Sequence, residues 1–167
     1  SGAGFIAGTK SLNKIGTGTL SLQTNNTYTG ATVLRAGSIE LNKLANGGAA
    51  SSIGASANYG FNWVWKGGKW LYTGASVSTD RNAVLDASTE FNVSNSASTV
   101  TFTGVLSGDG GLIKSGPGKL TLRSINPYAG ETIVKGGILE VSPVSTASLA
   151  DNIIDNGVAI GTSNILR

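Results

Sequence analysis

Apolar residues along this chain come in short bursts at every second position. Leu20 and Leu22 alternate with Thr19 and Ser21, and Leu120 and Leu122 alternate with Lys119 and Thr121. This is the period of a strand that buries one face. Two more alternating stretches follow the first, at 32–35 and 38–41, joined by Arg35-Ala36-Gly37. Gly16 and Gly18 precede the first burst and Gly30 follows it, placing backbone freedom where tight corners need it. No stretch holds a 3.6-residue period for three turns, so the pattern predicts an all-β chain.

The bursts also repeat. Residues 11–42 align with 111–142 at an offset of 100 without a gap, and 12 of the 32 positions are identical. A weaker match places 65–72 on 34–41 and on 134–141, and Ile154-Asp155-Asn156-Gly157 reads as the start of another copy. One strand–corner–strand unit recurring while its flanks drift is the signature of a solenoid. The expectation is a right-handed parallel β-helix of about seven coils, at about 20 to 25 residues each. A β-sandwich or jelly roll is the alternative, since it also uses many short strands. In the β-helix, corners a hundred positions apart are expected to stack in one wall. The whole of 1–167 then forms one domain, a piece of a longer multidomain protein whose neighbours cover its open strand edges.

The string Lys114, Gly116, Gly118, Leu120, Leu122, then Asn126, Tyr128, Gly130, Thr132, Val134, then Gly137, Leu139, Val141 resembles the autotransporter-associated passenger β-strand repeat. The partners 100 residues earlier carry it again. The middle stretch, 52–74 and 77–81, is similar to the segment that separates two such repeats. The resemblance implies a parallel β-helix in large secreted or surface-displayed bacterial proteins, used as a stalk or adhesive surface. It implies no activity.

Composition narrows the chemistry. The 167 residues include no Cys, no His and no Met, but 25 Gly. Thiolate nucleophiles, disulfides, imidazole bases and the usual zinc and iron ligand sets are therefore excluded. Twelve basic and nine acidic residues lie scattered, giving +3, which is no footprint for nucleic acid. No apolar run approaches the ~18 to 20 residues of a membrane helix, and no signal peptide is visible. A Cys-free composition fits a secreted bacterial protein as well as a cytosolic one and does not fix the compartment; it is the resemblance that implies a secreted or cell-surface module, expected neither to insert into a membrane nor to need a cofactor.

The most unusual stretch is Phe61-Asn62-Trp63-Val64-Trp65-Lys66-Gly67-Gly68-Lys69-Trp70-Leu71-Tyr72, which holds all three Trp. Strand alternation puts Phe61, Trp63 and Trp65 on one face, and Trp70 and Tyr72 on one face after the corner. Two readings compete. Trp63, Trp65, Trp70 and Tyr72, with Lys66 and Lys69 beside them, could form a platform for an anionic polysaccharide or host glycan. The repeat alignment instead sets Trp65, Trp70 and Tyr72 on Leu34, Ile39 and Leu41, which read as core positions. Trp63 falls on the less committed Thr32. Under the core reading, Val64, Lys69 and Leu71 point outward. Tyr28 and Tyr128, behind Asn26 and Asn126, are either an exposed sugar-stacking pair or part of an Asn–aromatic ladder inside a corner.

Catalysis has little support. Glycoside cleavage needs two carboxylates at a set separation. The nine available are Glu40, Asp80, Asp86, Glu90, Asp109, Glu131, Glu140, Asp151 and Asp155, with no paired motif among them. Glu40 and Glu140 occupy equivalent outward positions. Asp80-Arg81 reads as a loop ion pair. Ser107-Gly108-Asp109-Gly110-Gly111 reads as a turn, because one carboxylate is a poor calcium cage. The sequence thus points to a non-catalytic, metal-free binding, adhesion or display scaffold, with a carbohydrate-binding module of a polysaccharide-degrading enzyme as the alternative.

Overall fold

Short alternating segments between glycine corners can bury their apolar face only by stacking, and the computed structural model shows how. It describes residues 4–141 and, by backbone alone, 153–155. The first coil supplies β1 (Leu12–Lys14) and β2 (Thr19–Leu22), the second β3 (Thr32–Leu34) and β4 (Ser38–Leu41). A single 3-10 turn at Gly60–Asn62 leads into β5 (Trp63–Lys66), β6 (Lys69–Tyr72) and β7 (Val77–Thr79). The fourth coil holds β8 (Ala83–Ala87), β9 (Thr89–Val93) and β10 (Thr99–Phe102). The fifth holds β11 (Leu106–Ser107), β12 (Leu112–Ser115) and β13 (Lys119–Leu122). Then come β14 (Thr132–Val134), β15 (Ile138–Val141) and β16 (Ile153–Asp155).

These strands form three walls. The first is β1-β3-β5-β8-β11, the second β2-β4-β6-β9-β12-β14-β16, and the third β7-β10-β13-β15. Every strand pair is parallel, as in β3–β5 and β6–β9. A sandwich of antiparallel layers is excluded, and the seven-strand depth of the second wall fits the expected coil count. β16 extends that wall by pairing with β14. The corner expected after it, at Asn156 and Gly157, lies outside the described residues.

Coil length is uneven, and that unevenness overturns one expectation. Leu12 pairs with Thr32, twenty residues on, but Thr32 pairs with Trp63, thirty-one residues on. The extra residues leave the wall as an excursion after β4. Four turns of the first wall then carry the chain from Leu12 to Leu106, and one corner more carries it to Leu112 in the second wall. The two sequence copies therefore occupy different walls and do not stack corner on corner. Five even coils of twenty would have returned the second copy to the first wall; the excursion consumed the residues needed to close the fifth turn.

Inward alternation survives the shift because every corner preserves the parity of its strands. Leu22, Leu34, Ile39, Leu41, Leu120, Leu122, Val134 and Leu139 are all buried. The corners themselves are alike in both copies. Gly37 and Gly137 adopt φ of 69° and 68°, and a Cβ there would lie within 2.4 Å of the carbonyl oxygens of Gly18 and Gly118. Only glycine fits such a left-handed close approach. Lys114 points inward between Phe91 and Val134, yet is charged. Its Nζ reaches the corner and donates to the carbonyls of Ser115 (2.6 Å), Gly116 (3.0 Å) and Gly136 (2.9 Å), tying two successive coils together. Burial still pulls its pKa down to about 8. Lys14 makes the same reach to the carbonyls of Gly16 and Ala36 in the other copy.

Candidate functional site

The aromatic stretch forms the centre of the core. Trp63 is 1% exposed, Trp65 and Trp70 are 0% exposed and Tyr72 is 2% exposed. Register explains why: Trp63 and Trp65 pair with Thr32 and Leu34, and Trp70 and Tyr72 pair with Ile39 and Leu41, all inward positions. Trp65 stacks on Phe91 with centroids 5.7 Å apart, and Trp63 meets Trp65 and Trp70 edge to face at 5.2 and 5.4 Å. Phe102 enters from the third wall, 5.5 Å from Trp63. None of the three indole N–H groups has a hydrogen-bond acceptor among the described residues. Edge-to-face packing sets ring edges against π-faces, which are weak acceptors. Buried this way, the indoles and Tyr72 offer no face to a sugar.

Phe61 departs from the expected alternation. It sits in the 3-10 turn, 66% exposed, and stacks on Tyr59 at 5.3 Å and 10°. The lysines flanking the Trp residues do point outward, as do Val64 and Leu71. Their charges are met one coil on: Lys66 pairs with Asp86, and Lys69 with Glu90 at 3.1 Å. Lys119 and Glu140 form a third such pair at 3.1 Å. These pairs are partly exposed, a setting in which each contributes about 0–1 kcal/mol.

Tyr28 and Tyr128 are also buried, at 1% and 2% exposure. They lie in different turns of the chain's path and do not stack on each other as a ladder. Each phenol instead shares a hydrogen bond with the threonine four residues on, Tyr28 with Thr32 at 2.6 Å and Tyr128 with Thr132 at 2.5 Å. Asn26 and Asn126 act as fasteners between coils. Their Oδ1 atoms accept from the backbone N–H of Ile6 (2.8 Å) and Leu106 (2.9 Å), each twenty residues earlier.

Burial pushes both phenols up to about 12, above the ordinary 10.0. A group whose pKa is raised on folding stabilises fully below its unfolded value and loses that contribution as pH climbs through its folded value. Stability is therefore expected to fall between about pH 10 and 12. Tyr128→Phe should cost about 1 kcal/mol at neutral pH and make that alkaline fall shallower. Urea unfolding at both pH values checks this, and an unchanged alkaline slope in Tyr128→Phe would refute it.

The long coil carries the exposed Tyr59–Phe61 pair, while Phe5, Ile15 and Ile125 are exposed on other coils. The long coil's excursion, about 43–58, is latched from β7's end by Arg81, which is itself 2% exposed. Arg81 Nε donates to the Ala45 carbonyl (2.9 Å) and Nη1 to the carbonyl (3.2 Å) and Oγ (3.0 Å) of Ser56. Its Nη2 donates to the carbonyls of Ala49 (3.1 Å) and Gly54 (2.9 Å). The expected Asp80–Arg81 ion pair does not form; Asp80 instead accepts from the Gly47 N–H at 2.7 Å. β7 pairs with β10 on one side only, because the excursion leaves the wall where the next strand would lie. A shallow cleft of about 360 Å³ fills that gap, lined by Asn25, Asn42, Lys43, Leu44, Ser76 and Val77. Asn42 Oδ1 is buried there without a partner among the described residues.

Among the described residues no three His, Cys, Asp or Glu side chains gather to hold a metal ion. The carboxylates are spread over the outer walls, with Asp86, Glu90 and Glu140 engaged by lysines. Asp151 lies outside the described residues. Gly108, in the loop read as a turn, has φ of 108°. Among the described residues no helix is long and apolar enough to cross a membrane.

Comparison with known proteins agrees with this geometry. Residues 12–41 and 112–141 each match the passenger-associated-transport-repeat model. The adhesin BmaC autotransporter of Brucella suis biovar 1 (strain 1330) is 43% identical over 117 residues, covering 69% of this chain. The match spans only 3% of that relative's length. No solved structure matches the chain.

Proposed function

We propose that this chain, whose residues 12–41 and 112–141 match the passenger-associated-transport-repeat model, is a non-catalytic segment of a surface-displayed or secreted bacterial adhesin. The stacked coils act as a rigid spacer, and the long coil presents the contact surface to an extracellular or host-surface partner. Coils before and after it in the parent protein are its other partners. The observation that carries this reading is the division of labour within one stack. Aromatic and aliphatic side chains fill the interior, while the excursion, its cleft and the exposed Tyr59–Phe61 pair project from one coil alone. The similarity to a protein named as an adhesin supports it. The polysaccharide-platform alternative loses its basis with the burial of Trp63, Trp65, Trp70 and Tyr72.

Display of the chain on a bacterial surface through a heterologous autotransporter barrel tests the proposal. Displaying cells should adhere to matrix-coated or host-cell surfaces above cells carrying the barrel alone. A Tyr59→Ala/Phe61→Ala double variant should lower adhesion at unchanged surface level. Adhesion equal to that of the bare barrel would sink the reading.

A further inference from the structure

We propose that Asn46 is a self-catalysed deamidation site, with Asp80 as the group that drives it. The excursion carries the dipeptide Asn46-Gly47 near its start. In such a pair the Gly47 nitrogen can attack the Asn46 side-chain carbon, because no Cβ on the following residue obstructs the five-membered ring. Both reacting groups are held by one residue. The Gly47 N–H donates to Asp80 Oδ1 at 2.7 Å, and the Asp80 backbone N–H donates to Asn46 Oδ1 at 3.1 Å. A carboxylate therefore sits on the proton that must leave the nucleophile, the placement of a general base. An N–H sits on the oxygen that gains negative charge in the tetrahedral intermediate, the placement of an oxyanion donor.

Asp80 is well fixed for this role. It joins Thr79, whose Oγ1 donates to the Ala45 carbonyl at 2.9 Å, to Arg81 with its five donated bonds. In the step itself, the Gly47 N–H proton passes to the Asp80 carboxylate as the new nitrogen–carbon bond closes a five-membered tetrahedral intermediate. Asp80 then returns the proton to the departing amide nitrogen as the old carbon–nitrogen bond breaks, and ammonia leaves a succinimide behind. Water opens the ring at either carbonyl, giving aspartate or isoaspartate. The sum is amide plus water to carboxylate plus ammonium, with no oxidant or further reactant. The product sets a second carboxylate against Asp80, so like-charge repulsion loosens the latch from within. Asn46 would thus serve as a one-way clock on the excursion, independently of whether the module adheres.

Incubation of the purified chain at neutral pH, followed by peptide mapping with mass and isoaspartate detection, tests the inference. Asn46 should convert in the native protein faster than in the same chain held in urea. Asp80→Asn keeps the side-chain shape, an acceptor for Gly47 and the backbone donor but lacks the base, and should slow native conversion about tenfold or more. A urea-unfolding midpoint for Asp80→Asn confirms that the fold persists, and Asn46→Asp, as a mimic of one product, should raise protease cleavage within 43–58. Native conversion slower than in urea, or a rate unchanged in folded Asp80→Asn, would overturn the proposal.

Discussion

Trp65→Ala is expected to lower the unfolding free energy by about 3–5 kcal/mol, the range for removing a large aromatic from a packed core. The indole is fully buried. It touches Trp63, Trp70, Phe91 and Phe102, with centroids 5.2, 5.9, 5.7 and 6.3 Å away. Those neighbours are anchored on all three walls, and each wall is held by its own ladder of parallel hydrogen bonds. They cannot move in to fill the void, so the cavity persists and the upper part of the range applies. Trp65→Phe should cost much less, because it keeps a ring in place and removes an N–H that has no acceptor. Phe61→Ala, by contrast, should fall within about 0.5 kcal/mol of wild type, as exposed substitutions do. Urea midpoints for the three variants decide the matter. If Trp65→Ala and Phe61→Ala cost the same, the interior assignment of the indoles fails.

Arg81→Met is expected to cost about 3 kcal/mol or more, since hydrogen bonds to a charged group each contribute about 1.5–3 kcal/mol and the change removes all those that the guanidinium donates to the excursion. Methionine keeps much of the apolar stem, so the loss reports the guanidinium. The acceptors in question, the carbonyls of Ala45, Ala49, Gly54 and Ser56, come from four points along the excursion. No other residue reaches all of them. Arg81→Lys should recover little, because a single ammonium cannot span acceptors arranged around a planar fork. The damage should also be local: limited proteolysis should cut first within 43–58, while the ladders on either side stay protected. A midpoint shift below about 1 kcal/mol with no new cleavage would mean that the excursion holds itself.

Much of this was readable from spacing alone. The match of 65–72 on 34–41 runs at an offset of thirty-one, but only the twenty-residue pairing of β1 with β3 in the structure shows that an insertion lies between them. The inward assignment of Trp65, Trp70 and Tyr72 follows from that alignment, because alternation along a strand fixes which side chains share a face. For Trp63 the alignment does not choose a face, since its partner Thr32 is small and polar; the structure buries both. Phe61 went the other way. A 3-10 turn interrupts the period just before β5, and nothing in the alternation signals that break.

Arg81 shows where local reading stops. Beside Asp80 it suggests an ion pair, yet both side chains turn to the backbone of the excursion, 25 to 36 residues away. Those partners are main-chain N–H and carbonyl groups, which nearly every residue has, so no pattern of residue types could reveal them. The cleft beside β7 is equally silent in sequence, because it arises from a strand that is missing.

The residues by themselves determined the kind of object this is: their two-residue period, their glycine corners and their repeated unit leave stacking in parallel coils as the way to bury the apolar face. Which wall each copy joined, where the edge of the third wall was left open and what the buried arginine holds were decided only in three dimensions. The physical reason is that period and parity are local properties of a strand, whereas the accumulated length of all preceding coils sets its angular position around the stack.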